Sequence, residues 1–264
     1  MTDPKTVHME PMGPADTGMQ VWEEINPDDL VSGKPVQRGH LYHSDKETGL
    51  EIGVWDCTPM TTKFEPYAVN EFMHVLEGSV TIVYEDGSED TIRAGESFII
   101  PKGMPCSWKQ SEYIRKFFVI FDDPSGVLAD GSQDQRVIRP LPDGPEGGMA
   151  AYDPGDPADY MTDLPAMTAH AYFTDPTGQM VVGVWEAEPF ERPTAPINRC
   201  ELMLIVKGSM TLKGDGEEFD FKTGEAAFVP VGAPYGWRST ETVRKIYCAF
   251  LRKETAANAV EAAE

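Results

Sequence analysis

The chain contains the same acid-bearing strand twice. The segment N-E-F-M-H-V-L-E-G-S-V-T-I at 70–82 resembles R-C-E-L-M-L-I-V-K-G-S-M-T-L at 199–212, and each has a glutamate seven residues before a glycine. The Gly-Val-Trp triplets at 53–55 and 183–185 are 130 residues apart, as are Glu71 and Glu201, and the Gly-Glu, Pro, Trp and Arg-Lys pairs that follow, up to residues 115–116, are 129 apart. A nearly constant offset over more than sixty residues indicates the tandem duplication of one domain.

Each copy consists of short apolar runs separated by Gly, Pro and Asp. The segment 80–93 has the pattern of a strand, a hairpin turn and a second strand, and I-R-K-F-F-V-I-F at 114–121 that of a closing strand. Helical periodicity is absent from these runs, so the sequence predicts antiparallel sandwiches or barrels. Only the alanine-rich segment 255–264 is compatible with a helix.

The repeat and the composition of the intervening segments divide the chain into five parts. The Gly-, Pro- and Asp-rich stretch between the copies has the composition of a linker. We expect the two barrels to pack through apolar sheet faces, as two subunits of a dimer would, and further homodimerisation stays open. The predicted parts are a disordered N-terminus at 1–20, an N-terminal barrel at 21–123, a linker at 124–165, a C-terminal barrel at 166–253 and a tail at 254–264.

The charge of the chain argues against two classes of partner. Its 22 lysines and arginines face 44 aspartates and glutamates, which gives a net charge of −22. Such a field repels the phosphates of nucleic acids and anionic membrane surfaces. The sequence has no signal-peptide pattern and no apolar stretch long enough for a membrane span. Its four cysteines form no C-x-x-C pair, which fits reduced thiols. We therefore expect a cytoplasmic protein.

Two motifs occur in both halves and carry a family resemblance. Glu71 precedes Gly78 by seven residues, and a later segment, 95–103, has the order Gly, five residues, Pro-x-Gly; the same motifs recur from Glu201 and at 224–232. They resemble the two signature motifs of the cupin superfamily. The resemblance implies an all-β fold of two tandem cupin (RmlC-like jelly-roll) β-barrels. W-D-C-T-P at 55–59 is similar to a branch of unknown-function cupins related to ureidoglycine aminohydrolase and ethanolamine-utilisation cupins.

The metal site implied by the resemblance is largely missing. Cupins hold a divalent metal with two histidines of an H-x-H motif, the motif glutamate and a later histidine. Of that set only Glu71 and Glu201 remain. A carboxylate with one thiol or phenol is a poor ligand set, so we expect no metal cofactor. At the histidine places the first half has Glu65, Tyr67 and Cys106, and the second has Ala195, Ile197 and Tyr235.

The remaining polar and aromatic residues near these places are candidates for a ligand pocket. A lysine on the last strand of each half, Lys116 or Lys245, is the expected partner of the inward-facing glutamate. That pair is either an internal salt bridge or a ligand contact. Cys106 is either a buried small side chain or a thiol that makes the first pocket the more reactive one. The second barrel then resembles a structural copy. The predicted pocket residues are Glu71, Cys106, Trp108, Gln110 and Lys116, and Glu201, Tyr235, Trp237 and Lys245.

These observations favour a bicupin that binds a small polar metabolite in its barrel pocket without a metal ion. The alternative is a metal-dependent enzyme of the ureidoglycine aminohydrolase type, acting on a small nitrogenous or hydroxy-acid substrate. A third interpretation is a purely structural duplicated barrel. The sequence leaves open whether the chain is an enzyme.

Overall fold

The computed structural model describes residues 4–124, 136–214 and 216–253, and these residues form two β-barrels in tandem. Two short 3-10 helices, Pro27–Asp29 and Pro157–Asp159, lie between strands. The predicted all-β architecture is confirmed. Within the described part, no helix has the length and apolar character that crossing a membrane requires.

Two antiparallel sheets enclose the interior of the N-terminal barrel. Its strands are β2 (Gln20–Val21), β3 (Leu30–Gly33), β4 (Gln37–Asp45), β5 (Leu50–Cys57), β6 (Met60–Thr62), β7 (Glu65–Pro66), β8 (Asn70–Glu77), β9 (Ser79–Val83), β10 (Glu89–Arg93), β11 (Ser97–Ile100), β12 (Pro105–Gln110) and β13 (Ile114–Phe121). One sheet has the order β10-β9-β12-β6-β3, with β7 also paired to β12, and the other has the order β11-β8-β13-β5-β4-β2.

The C-terminal barrel repeats this arrangement and adds one strand from the start of the chain, β1 (Val7–His8). The other strands are β14 (Ala150–Tyr152), β15 (Met167–Thr174), β16 (Met180–Ala187), β17 (Glu191–Pro196), β18 (Cys200–Lys207), β19 (Ser209–Gly214), β20 (Glu217–Lys222), β21 (Ala226–Val229), β22 (Pro234–Arg238) and β23 (Val243–Phe250). The strand orders of its two sheets are β1-β21-β18-β23-β16-β15-β14 and β17-β22-β19-β20.

Alternation along β8 decides which side chains enter the first barrel. Met73 and Val75 belong to the apolar cluster inside the barrel, and Glu71 lies on the same strand face. Phe72 lies on the opposite face, in a second cluster that contains residues of both barrels. The motif glutamate is therefore held at the barrel interior by the same pattern that builds the core.

The cluster shared by the two barrels joins them. Its rings include Phe121 of the first barrel and Phe250 of the second, whose centroids are 5.0 Å apart. Leu202 and Phe72, both with 0% exposure, belong to the same cluster. Burial of large apolar side chains stabilises such a contact by about 1.5–3 kcal/mol for each side chain. The barrels thus pack through apolar sheet faces, as the sequence predicts.

The N-terminal segment differs from its prediction as a disordered stretch. Val7 and His8 pair with Phe228 and Ala227 of the second barrel, and the side chain of Met9 is 1% exposed. The short segment completes the edge of a distant sheet, which removes unpaired strand groups from solvent. A strand of two residues has no periodicity to detect, and its partner is more than 200 residues away in the sequence.

The predicted linker also contains regular structure. Ile138 exchanges two backbone hydrogen bonds with Ile99, at 2.8 and 3.1 Å, and the strand at 150–152 joins the sheet of the C-terminal barrel. The linker therefore contacts both barrels. Residues 125–135 and the predicted helical tail at 255–264 lie outside the described residues.

The glycine of the first repeated motif has a positive φ at a tight turn. Gly78 has φ +75°, and a Cβ added there would collide with the backbone oxygen of Tyr113. Its counterpart Gly208 has φ +78° and the same kind of contact, with the backbone oxygen of Thr242. Only glycine adopts this conformation without strain and leaves room for the crossing chain. The repeat of this residue follows from the geometry of the bend that carries the chain from one sheet of the barrel to the other.

Candidate ligand-binding cavities

Each barrel encloses a cavity at its interior. The first has a volume of about 270 Å³ and the second about 410 Å³. Lys116 lines the first cavity together with Trp55 and Trp108, and Lys245 lines the second with Trp185 and Trp237. The cavities occupy matching places in the two copies.

In the first barrel the motif glutamate is bound by two side chains. Lys116 Nζ donates to Glu71 Oε1 at 2.7 Å, and the Tyr67 hydroxyl donates to Glu71 Oε2. Glu71 is 4% exposed and Lys116 6% exposed, so this is a buried ion pair. Burial, together with the nearby Glu71, raises the pKa of Tyr67 far above its usual range, so its hydroxyl remains a donor.

The ammonium group of Lys116 also lies between two tryptophans. Its distance to the ring centroids of Trp55 and Trp108 is 4.8 Å in each case, within cation–π range. The sulfur of Met73 lies 3.0 Å from the same nitrogen. A carboxylate, two aromatic faces and a thioether thus fix the charge at the cavity wall.

The second barrel repeats the lysine–glutamate pair with a different second partner. Lys245 Nζ donates to Glu201 Oε1 at 2.5 Å, while Arg199 donates to Glu201 Oε2 through Nε at 2.8 Å and lies 2.7 Å from it through Nη2. Burial alone would raise the pKa of Glu201, but Lys245 and Arg199 lower it to about 2. Burial lowers the pKa of Lys245, against the opposing effect of Glu201.

The aromatic contacts of the lysine recur as well. Lys245 Nζ is 4.9 Å from the Trp185 centroid and 5.5 Å from the Trp237 centroid. Phe190 stacks on Trp237 with centroids 5.4 Å apart and an interplanar angle of 2°. The second cavity therefore has a flat aromatic wall beside its charged end.

The family follows from a match in each half of the chain. The model of the EutQ-like cupin domain matches residues 45–118 and again residues 174–247, which together exceed half of the chain. The chain belongs to the EutQ-like cupin family. The predicted tandem cupin is confirmed, and the relation to ureidoglycine aminohydrolase stays a prediction.

Solved structures show the same cupin fold. A DUF861-family protein of unknown function from Pseudomonas syringae pv. tomato is 24% identical, with a TM-score of 0.77 over 94% of this chain and 100% of that one. Protein Ylba from E. coli, also of the DUF861 family, is 9% identical, with a TM-score of 0.54 over 97% and 94%. A cupin 2 conserved barrel domain protein from Leptotrichia buccalis is 14% identical, with a TM-score of 0.52 over 88% and 98%. No curated protein sequence matches the chain.

The side chains at the cupin metal position do not fit a divalent metal. In both barrels a cation already binds one oxygen of the motif glutamate, and a tyrosine or arginine binds the other. Burial raises the pKa of the Cys106 thiol to about 11, which disfavours the thiolate that a metal needs. Among the described residues, no three His, Cys, Asp or Glu side chains are grouped so that they could hold an ion.

The structure brings most of the predicted pocket residues together in two groups. Cys106, Trp108 and Lys116 line the first cavity, with Glu71 bonded behind the lysine. The second is lined by Glu201, Tyr235, Trp237 and Lys245.

Gln110 departs from this pattern. Although it lies on the same strand face as Trp108, it is not among the residues that line the cavity. Its Nε2 donates to the backbone oxygens of Thr58 and Cys57 at 2.8 and 3.1 Å, and its Oε1 accepts from Trp108 Nε1 at 2.7 Å. We conclude that Gln110 satisfies two backbone carbonyls near the end of the strand and orients the indole of Trp108 through its side-chain oxygen.

The structure adds residues that the sequence analysis did not select. Trp55 and Trp185 could have been found, because both belong to a G-V-W triplet repeated at the offset of 130. Arg199 has no counterpart, since Val69 stands at the matching place. Its only sequence signal is its position two residues before Glu201, in the connection that leads into the strand Cys200–Lys207.

The geometry does not support the expectation that the first cavity is the more reactive one. Burial raises the pKa of the Cys106 thiol, and no side chain of the described residues forms a hydrogen bond with it that could take its proton. The second cavity is larger and has two cations bound to its glutamate. The features of a binding site are therefore richer in the C-terminal barrel.

Proposed function

We propose that this cupin binds a small polar metabolite in its barrel cavities without a metal ion, using the buried lysine as its fixed cation. The observation that carries the proposal is the repeated arrangement of one lysine, one glutamate and two tryptophans at matching cavity walls. An ammonium held in this way can donate a charge-assisted hydrogen bond to a ligand oxygen.

Energetic reasoning supports a role for this arrangement beyond folding. A buried ion pair is often no more stabilising than well-packed apolar residues of the same volume, because both charges lose their hydration. Both copies nevertheless contain the pair, and in both the lysine lines an open cavity rather than a closed core. A contact between the lysine ammonium and a ligand would explain why a charged group lines the cavity, which packing alone does not explain.

The alternative of a metal-dependent enzyme of the ureidoglycine aminohydrolase type gains no support from the donor set. That chemistry needs a metal with open positions, held by neutral imidazoles and a free carboxylate. Here the carboxylate oxygens of Glu71 and Glu201 are occupied by hydrogen-bond donors of the protein.

The test is a binding screen on protein treated with EDTA, with the metal content measured by mass spectrometry. Glycolate, acetamide, ethanolamine and glycerol serve as probes in ligand-observed NMR. We expect at least one probe to bind the metal-free protein. The variant Glu71→Gln/Lys116→Met/Glu201→Gln/Lys245→Met, which leaves no buried carboxylate without its cation, should lose that binding while its circular dichroism spectrum stays that of the folded protein. Binding that appears only after stoichiometric reloading with Mn, Fe, Ni or Zn would contradict the proposal.

A further inference from the structure

The two cavities differ in charge. The side chains that line the first cavity include two cations, Lys63 and Lys116, and two acidic residues, Asp29 and Glu65, which leaves no net charge. The second is lined by three cations and two acidic residues, which leaves one positive charge. The charged residues of the second cavity are Arg192, Arg199, Lys245, Asp153 and Glu201. Arg192 pairs at 3.1 Å with Asp159, which lies outside the lining, and Arg199 stands where the first barrel has Val69.

Arg199 is the cation best placed to meet a ligand. Its side chain is 40% exposed and lines the second cavity, whereas that of Glu201 is 2% exposed. Nε and Nη2 of Arg199 are directed at Glu201, and Nη1 makes no hydrogen bond to any residue that the structure describes. The guanidinium thus keeps donors for a second, external acceptor.

Two tyrosines add neutral donors to the same cavity. Tyr235 and Tyr247 line it, and neither hydroxyl is hydrogen-bonded to a described residue. Burial, with Glu201 nearby, raises the pKa of both phenols, that of Tyr247 to about 12, so both stay protonated at neutral pH. Unpaired hydroxyls beside a guanidinium suit a ligand with several oxygen acceptors.

The opposite part of the cavity is aromatic. Trp185, Phe190 and Trp237 pack edge-to-face or stacked with one another, with centroids 5.4–6.2 Å apart. A volume of about 410 Å³ accommodates a small organic molecule rather than an inorganic ion alone.

We infer that the C-terminal cavity binds a small organic carboxylate, with the carboxylate on Arg199 and the tyrosine hydroxyls and the apolar part against the tryptophans. We do not expect this preference in the N-terminal cavity, because the donor to the second oxygen of its glutamate is the neutral Tyr67 and not an arginine. This inference rests on the proposed function and narrows it to one barrel and one ligand class.

Benzoate is the probe, with benzamide as its neutral isostere and benzylamine as its cationic one. Each is titrated calorimetrically into the full chain, both with and without EDTA, and the site is located from the indole N–H signals of the five tryptophans, assigned with Trp→Phe variants. We expect benzoate to bind at least tenfold more tightly than benzamide and to shift the signals of Trp185 and Trp237, not those of Trp55 and Trp108.

Arg199→Gln should weaken benzoate binding roughly 10- to 100-fold, the range for a lost hydrogen bond to a charged group. Arg238→Gln is the matched control, because Arg238 is on the same barrel, is also 40% exposed and pairs with Glu218 away from the cavity. It should change the affinity by less than about twofold. Arg199→Lys, which retains the charge but not the planar fork, should give an intermediate loss and guards against a folding defect of the glutamine variant.

Several results would overturn the inference: equal affinity for benzoate and benzamide, equal effects of the two arginine-to-glutamine variants, shifts confined to Trp55 and Trp108, or no benzoate binding below ~10 mM. If the metal-free protein binds benzoate, benzamide and benzylamine equally well and Arg199→Gln does not change their affinity, the inference is overturned but the proposed function stands. Benzoate binding that is seen without EDTA, is lost with EDTA and still depends on Arg199 would overturn the proposed metal-free function and leave the preference for a carboxylate at Arg199 standing.

Discussion

Replacing Lys116 by methionine should destabilise the N-terminal barrel strongly. The substitution retains most of the side-chain volume but leaves Glu71, 4% exposed, with the Tyr67 hydroxyl as its remaining side-chain donor in the part of the chain that the structure describes. At 2.7 Å and an effective dielectric constant of ~20, the attraction between Lys116 and Glu71 is ~6 kcal/mol before the cost of desolvation. Removal of one partner from a buried pair typically costs about 3–5 kcal/mol, and we expect a loss in that range.

The second barrel provides the matched comparison. After Lys245→Met, Arg199 still holds Glu201 Oε2 at 2.7–2.8 Å, so the buried carboxylate keeps a cationic partner. The loss should therefore be smaller than that of Lys116→Met by at least ~1 kcal/mol, the order of one charged hydrogen bond. This difference tests the role assigned to Arg199 independently of any ligand.

The assay is urea denaturation followed by tryptophan fluorescence and by far-UV circular dichroism, whose coincidence checks the two-state treatment. Lys109→Met is the control, because Lys109 forms an exposed pair with Glu89 and its loss should cost less than ~1 kcal/mol. The double variant Glu71→Gln/Lys116→Met, which removes both charges, should recover most of the stability. A loss below ~1 kcal/mol for Lys116→Met, an equal loss for Lys245→Met, or a double variant no better than the single one would refute the reasoning.

Three further predictions follow from the same geometry. Lys245 and Arg199 outweigh the effect of burial and lower the pKa of Glu201 to about 2, from an ordinary 4.5. The ionised Glu201 therefore contributes stability above pH 4.5, and this contribution is lost as the pH falls through 2. Thermal unfolding of Glu201→Gln should accordingly depend less on acid than that of the unsubstituted protein. Because burial raises the pKa of Cys106 to about 11, iodoacetamide should label this thiol in the native protein far more slowly than in urea, as mass spectrometry of its peptide would show. Gly78→Ala should cost more than ~2 kcal/mol in urea denaturation, because φ is +75° and the new Cβ meets Tyr113; Gly87→Ala, at φ +77° in open space, should cost only about 1–2 kcal/mol.

The parts of the site that the sequence could predict are those that alternation and the repeat determine. Glu71 and Lys116 occupy paired strands at positions that face inward, and the same holds 130 and 129 residues later. Their contact follows once the barrel is assumed, because an inward carboxylate must find a partner. The tryptophans of the cavity walls follow from the same two regularities.

Other features depend on three-dimensional detail that no local pattern contains. Gln110 obeys the alternation of its strand, yet its amide turns to backbone carbonyls at the strand end. The reactivity expected of Cys106 required a nearby cation, and burial instead raises its pKa. The pairing of Val7 with Phe228 joins distant parts of the chain through two residues only. Each outcome depends on what lies across space from the residue, which a single sequence does not show.

The two barrels differ in the residue that donates a hydrogen bond to the second carboxylate oxygen of the motif glutamate. In the first copy the donor is Tyr67, whose counterpart is Ile197; in the second it is Arg199, whose counterpart is Val69. A phenol satisfies the carboxylate without adding charge, whereas a guanidinium satisfies it and leaves donors directed elsewhere. Because the lysine, glutamate and tryptophans are common to both copies, the preference that we infer for an anionic ligand in the second cavity depends on this exchange of donors at two positions of the short connection that precedes the glutamate strand.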